Sequence, residues 1–253
     1  MKRLLAIAAL LPVSFSVWAA EPVIPAAYPK PTGAQLAQTF PYSMIGQLLF
    51  ENGRSFYSGS GTVIRPKSVL TAGHILYDFD GGWSTNLLFQ RGLYGKTGLS
   101  EQYATRIYVL GGYRESVNRY GGDDVRAFSH DMGGLVFPKP LANGSTAGWS
   151  SDTSLLTGTS YNIAFGYGAE FHTGDDLLSV VPTAPFESIS GAFLENRSLY
   201  FESGMSGGPV FARGDKGLLF VSGIVVSGST DPVAGGIRAL NSTAAAFIQR
   251  YLR

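Results

Sequence analysis

From Tyr42 onward the chain consists of short apolar runs separated by glycines. Residues 44–50 and 58–64 have the length and composition of β-strands, and the Asn52-Gly53 pair between them is a strong hairpin signal. Glycine occurs 33 times in 253 residues, which favours a turn-rich β protein over a helical one. Near the C-terminus Asn241-Ser242-Thr243 is typical of a helix start, so a terminal helix is predicted.

Length and composition narrow the class of protein. A chain of 253 residues can form one large domain or two compact ones, and its 15% charged residues are well below the usual share of about 25%. The net charge of +1 comes without a basic stripe, so no nucleic-acid partner is expected. The lack of cysteine excludes disulfides, cysteine catalysis and thiolate metal sites. Three scattered histidines form no zinc motif, and we expect neither a metal nor another cofactor.

The N-terminal residues predict export. Residues 1–19 have the pattern of a bacterial secretory signal, with Lys2 and Arg3 before a short apolar run and Val17-Trp18-Ala19 at the cleavage site. The run is too short to span a membrane comfortably, so no membrane partner is expected after cleavage; an uncleaved anchor is the alternative. Residues 20–41 are rich in proline and alanine, and we expect an extended, poorly packed pro-segment or linker.

The stretch from Glu202 to Pro209, Glu-Ser-Gly-Met-Ser-Gly-Gly-Pro, has the composition of a nucleophile loop. A catalytic serine needs an adjacent base and N–H donors aimed at the oxyanion that forms when it attacks a carbonyl. Glycines let the backbone supply such donors at close range. Ser206 is therefore the candidate nucleophile, with the N–H groups of Gly204 and Ser206 as the oxyanion hole. A glycine-rich turn without a catalytic role is the alternative for this stretch taken alone.

The order of the candidate catalytic residues separates the known serine hydrolase types. The same stretch fits the G-x-S-x-G elbow of α/β-hydrolases, but that fold needs a histidine after the serine. His74, His130 and His172 all precede Ser206. The subtilisin order of Asp, His and Ser fails for His74, which no aspartate precedes, and stays open only for a later histidine. The order His, Asp, Ser fits the chain best.

A second motif accompanies the nucleophile loop. Thr71-Ala72-Gly73-His74 follows Ser60-Gly61-Thr62-Val63-Ile64. With these motifs, the chain from about Tyr42 to the C-terminus resembles the trypsin-like (chymotrypsin-fold) serine proteases, and especially their bacterial glutamyl-endopeptidase-like branch. The resemblance implies an all-β fold of two six-stranded antiparallel β-barrels with a C-terminal helix on the second barrel. The implied barrels are residues 42–138 and 158–253, joined by a linker at 139–157.

The resemblance also assigns roles to the first barrel. His74 would be the general base, and Asp131 the acid that orients it and stabilises the imidazolium. Asp131 opens an apolar run at the point where the family has an aspartate at a strand start. His130 lacks the Thr-Ala-Gly sequence that precedes His74, and we expect it to be a flanking or surface residue.

Two features of this region leave alternatives open. Asp123 and Asp124 are fallback candidates for the acid, although neither begins an apolar run. They end a stretch, residues 111–124, that is predicted to be a polar loop. Gly133-Gly134 departs from the bulkier apolar residues expected in the strand after Asp131.

The resemblance also implies where the substrate binds. The implied substrate-binding residues are Tyr200, Val225, Val226, Ser227, Gly228 and Gly236. Val225 stands where glutamyl-specific relatives have a histidine, which argues against a firm glutamate preference. Tyr200 replaces the acidic pocket base of trypsin, so a Lys or Arg preference is unsupported. Gly228 and Gly236 suggest a pocket open to a large apolar side chain. Met205 replaces the aspartate that pairs with the new N-terminus of activated trypsin-like zymogens, so activation of that type is not expected.

These observations predict a secreted or periplasmic serine endopeptidase that cleaves proteins or peptides through a Ser-His-Asp triad and an acyl-enzyme, as a monomer. The alternatives are a catalytically silent binding module on the same fold and an esterase. Residues 78–82, Asp-Phe-Asp-Gly-Gly, match part of a calcium loop but lack its closing glutamate, so we expect a surface turn there.

Overall fold

The computed structural model describes residues 27–158 and 161–253. The predicted signal peptide at 1–19 and the first part of the 20–41 segment lie outside the described residues. Among the helices of the described ranges, none is long and apolar enough to cross a membrane.

Most of the regular structure is β-strand. The strands are β1 (Lys30–Pro31), β2 (Ile45–Asn52), β3 (Ser55–Arg65), β4 (Ser68–Thr71), β5 (Tyr77–Asp78), β6 (Gly82–Trp83), β7 (Thr85–Arg91), β8 (Ser100–Tyr103), β9 (Arg106–Val109), β10 (Gly133–Val136), β11 (Asn162–Gly166), β12 (Leu178–Val180), β13 (Glu187–Ser190), β14 (Phe193–Asn196), β15 (Pro209–Arg213), β16 (Leu219–Thr230) and β17 (Val233–Ala239). The α-helices are α1 (Ala34–Ala37), α2 (Tyr113–Tyr120), α3 (Val125–Phe128), α4 (Ser154–Thr157) and α5 (Ser242–Tyr251). Two 3-10 turns lie at Tyr42–Met44 and Asp215–Gly217.

The strands form two antiparallel sheets, one from each half of the chain except that β1 joins the second sheet. The first has seven strands in the order β8-β7-β2-β3-β4-β10-β9, and the second has eight in the order β1-β12-β11-β15-β16-β17-β14-β13. β5 and β6 form a small separate hairpin. The all-β class with a C-terminal helix is confirmed. The strand counts exceed six because short edge strands, β8 in the first sheet and both β1 and β13 in the second, extend the sheets.

The predicted hairpin joins β2 to β3. Asn52 pairs with Ser55, and Gly53 between them has a φ of +62°, a left-handed conformation that glycine adopts without strain. The pairing continues to Ile45 and Thr62, so the hairpin forms the centre of the first sheet.

Most described residues of the N-terminal segment are exposed, in keeping with the predicted poorly packed stretch, but the segment is attached to the rest of the fold at several points. Ala27 forms a parallel bridge to Leu199, and β1 pairs with β12 at the edge of the second sheet. An edge position tolerates Pro31, because an edge strand has no neighbour on its outer side that needs its N–H. Ala37 is fully buried in the main core.

The prediction of a polar loop at 111–124 is wrong, because these residues contain helix α2. Gly112 and Gly121 flank the helix with φ values of +89° and +90°. Tyr113, Ser116 and Val117 are buried along one face at the i, i+3, i+4 spacing. This narrow stripe lies among charged residues, which is why composition alone indicates a loop.

Helix α5 packs against the first sheet, whereas the resemblance implies the second barrel. Leu252 follows the helix and lies over Gly134 of β10, and the Tyr251 ring stacks on Tyr108 of β9 with 5.0 Å between centroids. A Cβ at Gly134 would come 2.4 Å from Leu252 Cδ2, so the glycine provides the space for this contact. The departure at Gly134 therefore has a packing reason.

Candidate active site

The loops that carry the three candidate catalytic residues meet where the two sheets face each other. His74 follows β4, and Asp131 precedes β10. These strands are antiparallel neighbours with Thr71 opposite Gly133, so the two side chains reach the same edge of the first sheet. Ser206 precedes β15 of the second sheet and lines a cavity together with His74.

Asp131 holds His74 through two contacts. The His74 Nδ1 atom lies 2.7 Å from Asp131 Oδ2, and the His74 backbone N–H donates to Oδ1 over 2.9 Å. The carboxylate is 2% exposed, whereas the imidazole is 33% exposed. A Cβ at Gly73 would lie 3.0 Å from both Asp131 Oδ1 and the Tyr113 ring, so a glycine is needed for this close approach. The contacts fix the ring with Nε2 free for chemistry.

The charges around the imidazole raise its basicity. Burial by itself lowers the pKa of His74, but the charge of Asp131 and its hydrogen bond outweigh this effect. The carboxylates of Asp78 and Asp123 add to the increase, and the pKa of His74 is raised above 6.5. The imidazole is thus a stronger base than a free histidine.

Ser206 and His74 share a cavity of about 590 Å³, which also includes residues of the β2–β3 hairpin and the turn after β5. Ser206 is half-buried. Within the described residues, no hydrogen bond joins the Ser206 hydroxyl to His74. Such bonds are often long in ligand-free enzymes and shorten when substrate binds.

The nucleophile loop leaves two backbone N–H groups free. Gly204 has a φ of +92°, a conformation that turns its peptide away from the regular backbone path. The neighbouring N–H groups are occupied: Met205 donates to Glu202 O (3.0 Å), Gly207 to Val225 O (2.8 Å) and Gly208 to Met205 O (2.9 Å). Among the described residues, the N–H groups of Gly204 and Ser206 have no such acceptor. These are the two donors that the sequence predicts for an oxyanion.

Ser60 of β3 anchors this loop from the first sheet. Its hydroxyl donates to Gly204 O over 2.8 Å and accepts a hydrogen bond from Tyr167 N at 2.8 Å. Its backbone N–H donates to Ser206 O over 2.7 Å. Thr71 in turn donates its hydroxyl to Ser60 O at 2.7 Å. The Ser60–Ile64 and Thr71–His74 motifs therefore contact the nucleophile loop directly, a role that the sequence analysis does not assign to Ser60.

The two glycines after Ser206 permit this close packing. Gly207 has a φ of +80°, and a Cβ there would lie 2.2 Å from Thr71 Oγ1 and 2.3 Å from Ser60 O. A Cβ at Gly208 would lie 2.0 Å from Phe165 O. The glycines are needed mainly because the loop backbone contacts both sheets, and less because they leave space around the Ser206 hydroxyl.

The implied substrate-binding residues fall into two groups. Val226, Ser227 and Gly228 line a cavity of about 300 Å³ that also includes His74. Tyr200 and Val225 are 4% and 1% exposed, within the second half.

The expectation of a pocket open to a large apolar side chain stays a prediction, and its two glycines have close neighbours. A Cβ at Gly228 would lie 2.1 Å from Phe201 O, and one at Gly236 would lie 2.1 Å from Ser227 Oγ and 2.6 Å from the Phe193 ring. Neighbouring backbone and side chains already occupy the space that these glycines leave.

The fallback residues have other contacts. Asp124 caps α3 and binds Arg126 at 2.7 Å; the side-chain hydrogen bond from Arg126 lowers the pKa of Asp124 to about 2. Asp123 lines the 300 Å³ cavity without a hydrogen bond to His74. His130 places Nδ1 3.0 Å from the Arg126 carbonyl, outside the triad.

One buried pair beside the site escapes the sequence analysis. His172 Nδ1 lies 2.7 Å from Glu202 Oε1, and the Glu202 side chain is only 1% exposed. The partners are 30 residues apart, and no local spacing links them. The only signal is an acidic residue inside an otherwise neutral glycine-rich stretch.

Residues 78–82, which match part of a calcium loop, form the predicted surface turn. Asp78 Oδ1 accepts hydrogen bonds from the N–H groups of Asp80 (2.8 Å) and Gly81 (3.0 Å), which is a surface turn closed by its own side chain. The described ranges contain no group of three or more His, Cys, Asp or Glu side chains that could hold a metal ion.

The chain is similar in sequence to known bacterial proteases. It is 28% identical to the glutamyl endopeptidase of Bacillus licheniformis over 179 residues, 69% of this chain and 50% of that protein. It is 29% identical to the extracellular metalloprotease of Bacillus subtilis over 114 residues, 44% of this chain and 33% of that protein. The chain thus spans half or less of the length of these relatives. No family model matches it.

The fold is also that of a solved protease. The structure of Glu endopeptidase in complex with MPD superposes with a TM-score of 0.69 at 19% identity, covering 90% of this chain and 98% of that one. A similarity at this identity supports the fold, while the sequence relatives support the link to glutamyl endopeptidases. The predicted resemblance is confirmed: this chain has the chymotrypsin-like serine protease fold and is similar in sequence to a bacterial glutamyl endopeptidase.

Proposed function

We propose that the chain is a serine endopeptidase that uses His74, Asp131 and Ser206 as its triad. The observation that carries the proposal is the 2.7 Å contact between His74 Nδ1 and a buried Asp131, in the cavity that Ser206 also lines. A serine is a weak nucleophile unless a positioned base accepts its proton, and this arrangement supplies the base.

The proposed mechanism is acyl transfer in two halves. Ser206 Oγ attacks the substrate carbonyl carbon while His74 Nε2 takes its proton, and Asp131 stabilises the imidazolium. The free N–H groups of Gly204 and Ser206 bind the oxyanion. His74 then protonates the leaving amine, and the C–N bond breaks to give the acyl-enzyme. A water molecule, deprotonated by His74, releases the acid and restores Ser206.

The substrates would be proteins or peptides, as the protease relatives suggest. Val225 offers no positive charge to a glutamate side chain, so the glutamate activity named for the relative is not transferred to this chain. The 1–19 pattern supports export to the periplasm or medium, and the Bacillus subtilis relative is named as extracellular. A monomer without a metal or nucleic-acid partner remains our expectation.

Intact mass after fluorophosphonate treatment tests the proposal, with Ser206→Ala as the control. A single adduct on the wild type and none on the variant is the expected result, because only an activated serine reacts with this probe. Hydrolysis of denatured casein then separates a peptidase from an esterase. A folded, processed wild type that gains no adduct would overturn the proposal in favour of the silent binding module.

A further inference from the structure

The segment 169–172 runs along Tyr200 and the first residues of the nucleophile loop, Glu202 and Ser203. Four successive residues of the segment each contact that stretch: Ala169 N donates to Ser203 O (2.8 Å), Glu170 Oε2 accepts from the Tyr200 hydroxyl and from Ser203 N (3.4 Å), Phe171 N donates to Glu202 Oε2 (3.2 Å), and His172 Nδ1 lies 2.7 Å from Glu202 Oε1. The proposed mechanism uses none of these groups.

Glu202 is the centre of these contacts. Its side chain is 1% exposed, and both carboxylate oxygens are hydrogen-bonded to the 169–172 segment. Burying a carboxylate is costly unless it is paired and hydrogen-bonded, so the pairing with His172 determines whether Glu202 can stay in this position.

The position of Glu202 affects the oxyanion donors. The Glu202 carbonyl accepts the Met205 N–H at 3.0 Å, which closes a tight turn over Ser203 and Gly204. Within this turn Gly204 adopts its φ of +92°. A rotation of the peptide between Ser203 and Gly204 would redirect the Gly204 N–H. Met205 is buried and uncharged, so it cannot hold this peptide through an ion pair.

We propose that Glu202 and His172 are positioning residues whose hydrogen-bonded pair holds the Gly204 peptide with its N–H directed at the oxyanion. This inference rests on the proposed serine endopeptidase function. The pair holds the loop through residues of the second half of the chain, whereas the Ser60 hydroxyl holds it from the first sheet. The Ala169 N–H binds the carbonyl oxygen of this peptide at Ser203 over 2.8 Å, so loss of either partner acts by loosening the 169–172 segment that holds the peptide.

The test compares Glu202→Gln and His172→Gln with wild type, and uses Glu195→Gln as the control. Glu195 is a carboxylate paired with Arg197 at 3.3 Å, away from the nucleophile loop. Each protein is assayed with a matched ester and thionoester, because the thionoester sulfur is a poor hydrogen-bond acceptor and gains little from an oxyanion hole. If Glu202→Gln misfolds, His172→Gln still tests the pair, because the His172 imidazole is 26% exposed and its replacement disturbs the core less.

We expect both variants to lose about 10²-fold in kcat for the ester with KM nearly unchanged, the size of effect that one oxyanion donor has. The ratio of ester to thionoester rates should fall by about 10-fold or more, and the double variant should be no worse than the poorer single variant. Equal losses with both substrates, or no loss, would overturn the positioning role.

Hydrogen exchange keeps the inference testable whether or not the enzyme is active. In a Ser206→Ala background, Glu202→Gln should speed exchange in residues 203–208 by about 10-fold or more, and Glu195→Gln should not. Unchanged exchange overturns the inference. Failure of the wild type to react with the fluorophosphonate overturns the proposed function instead, so the two failures are distinguishable.

Discussion

The Ser60 hydroxyl donates a hydrogen bond to the Gly204 carbonyl across 2.8 Å, and so a residue of the first sheet fixes the loop carried by the second. The residues are 144 positions apart, and both are buried. The link means that the candidate site depends on how the two halves are joined, in addition to the three proposed catalytic side chains.

Replacing Ser60 with alanine tests this link. The change removes the donor to Gly204 and leaves the buried Tyr167 N–H without its acceptor. An unsatisfied buried donor costs about 1–3 kcal/mol, so the free energy of unfolding should fall by this amount in urea titrations. The rate of fluorophosphonate labelling should fall as well. Ser55→Ala, an exposed position on the same strand, should change neither value.

The pH dependence of kcat/KM reports the state of His74. Activity needs the neutral imidazole, so it should rise with pH through the raised pKa of His74, above 6.5, and be lost below it. Asp131→Asn removes the main charge that raises this pKa. The acid limb should then move to lower pH, while the maximum falls by about 10⁴-fold. A limb that stays in place would show that Asp131 is not the partner of His74.

The candidate catalytic residues His74 and Ser206 are predictable because each lies in a short contiguous motif. Thr71–His74 and Glu202–Pro209 contain both the reactive group and the glycines that its backbone geometry requires. Strand runs are predictable for the same reason, since hairpin pairing joins neighbours in the chain.

The remaining features depend on contacts between distant residues. Neither the docking of Leu252 on Gly134 nor the pairing of His172 with Glu202 leaves a local pattern. Helix α2 is hidden because only three of its eight residues are buried. The sequence also does not show that Phe201 O lies close to Gly228 and the Phe193 ring close to Gly236.

Gly207→Ala should disable the nucleophile loop. The added Cβ would overlap Thr71 Oγ1 and Ser60 O at 2.2 and 2.3 Å, and the φ of +80° is strained for alanine. We expect at least about 10²-fold slower fluorophosphonate labelling, because a small displacement of the reacting groups has this effect. Gly217→Ala shares the positive φ, at +76°, but has open space around it. It should label at the wild-type rate.

The contact between Gly134 and Leu252 predicts a coupled effect on stability. Gly134→Ala should destabilise the fold by about 1–3 kcal/mol through overpacking against Leu252, and Leu252→Ala by about 2–5 kcal/mol through loss of a buried side chain. The double variant should lose less unfolding free energy than the sum of the two single losses, because the new methyl group enters the space that leucine leaves. Gly111→Ala, with nothing within 4 Å, is the neutral control. Additive losses would contradict the contact.

The N-terminal segment should remain part of the mature protein from Ala27 onward. Besides the pairing of β1 with β12, its backbone makes three hydrogen bonds to the second half: Ala27 N to Ser198 O (2.7 Å), Tyr200 N to Ala27 O (3.0 Å) and Thr32 N to Leu177 O (2.8 Å). At about 1 kcal/mol for each bond, a variant that begins at Tyr42 should lose about 3 kcal/mol of unfolding free energy against one that begins at Ala27. The bond to Tyr200 also lies near the nucleophile loop, so labelling of Ser206 should slow in the shorter protein. An exported protein whose intact mass corresponds to a start at Tyr42, with full stability and labelling, would instead identify residues 20–41 as a removable pro-segment.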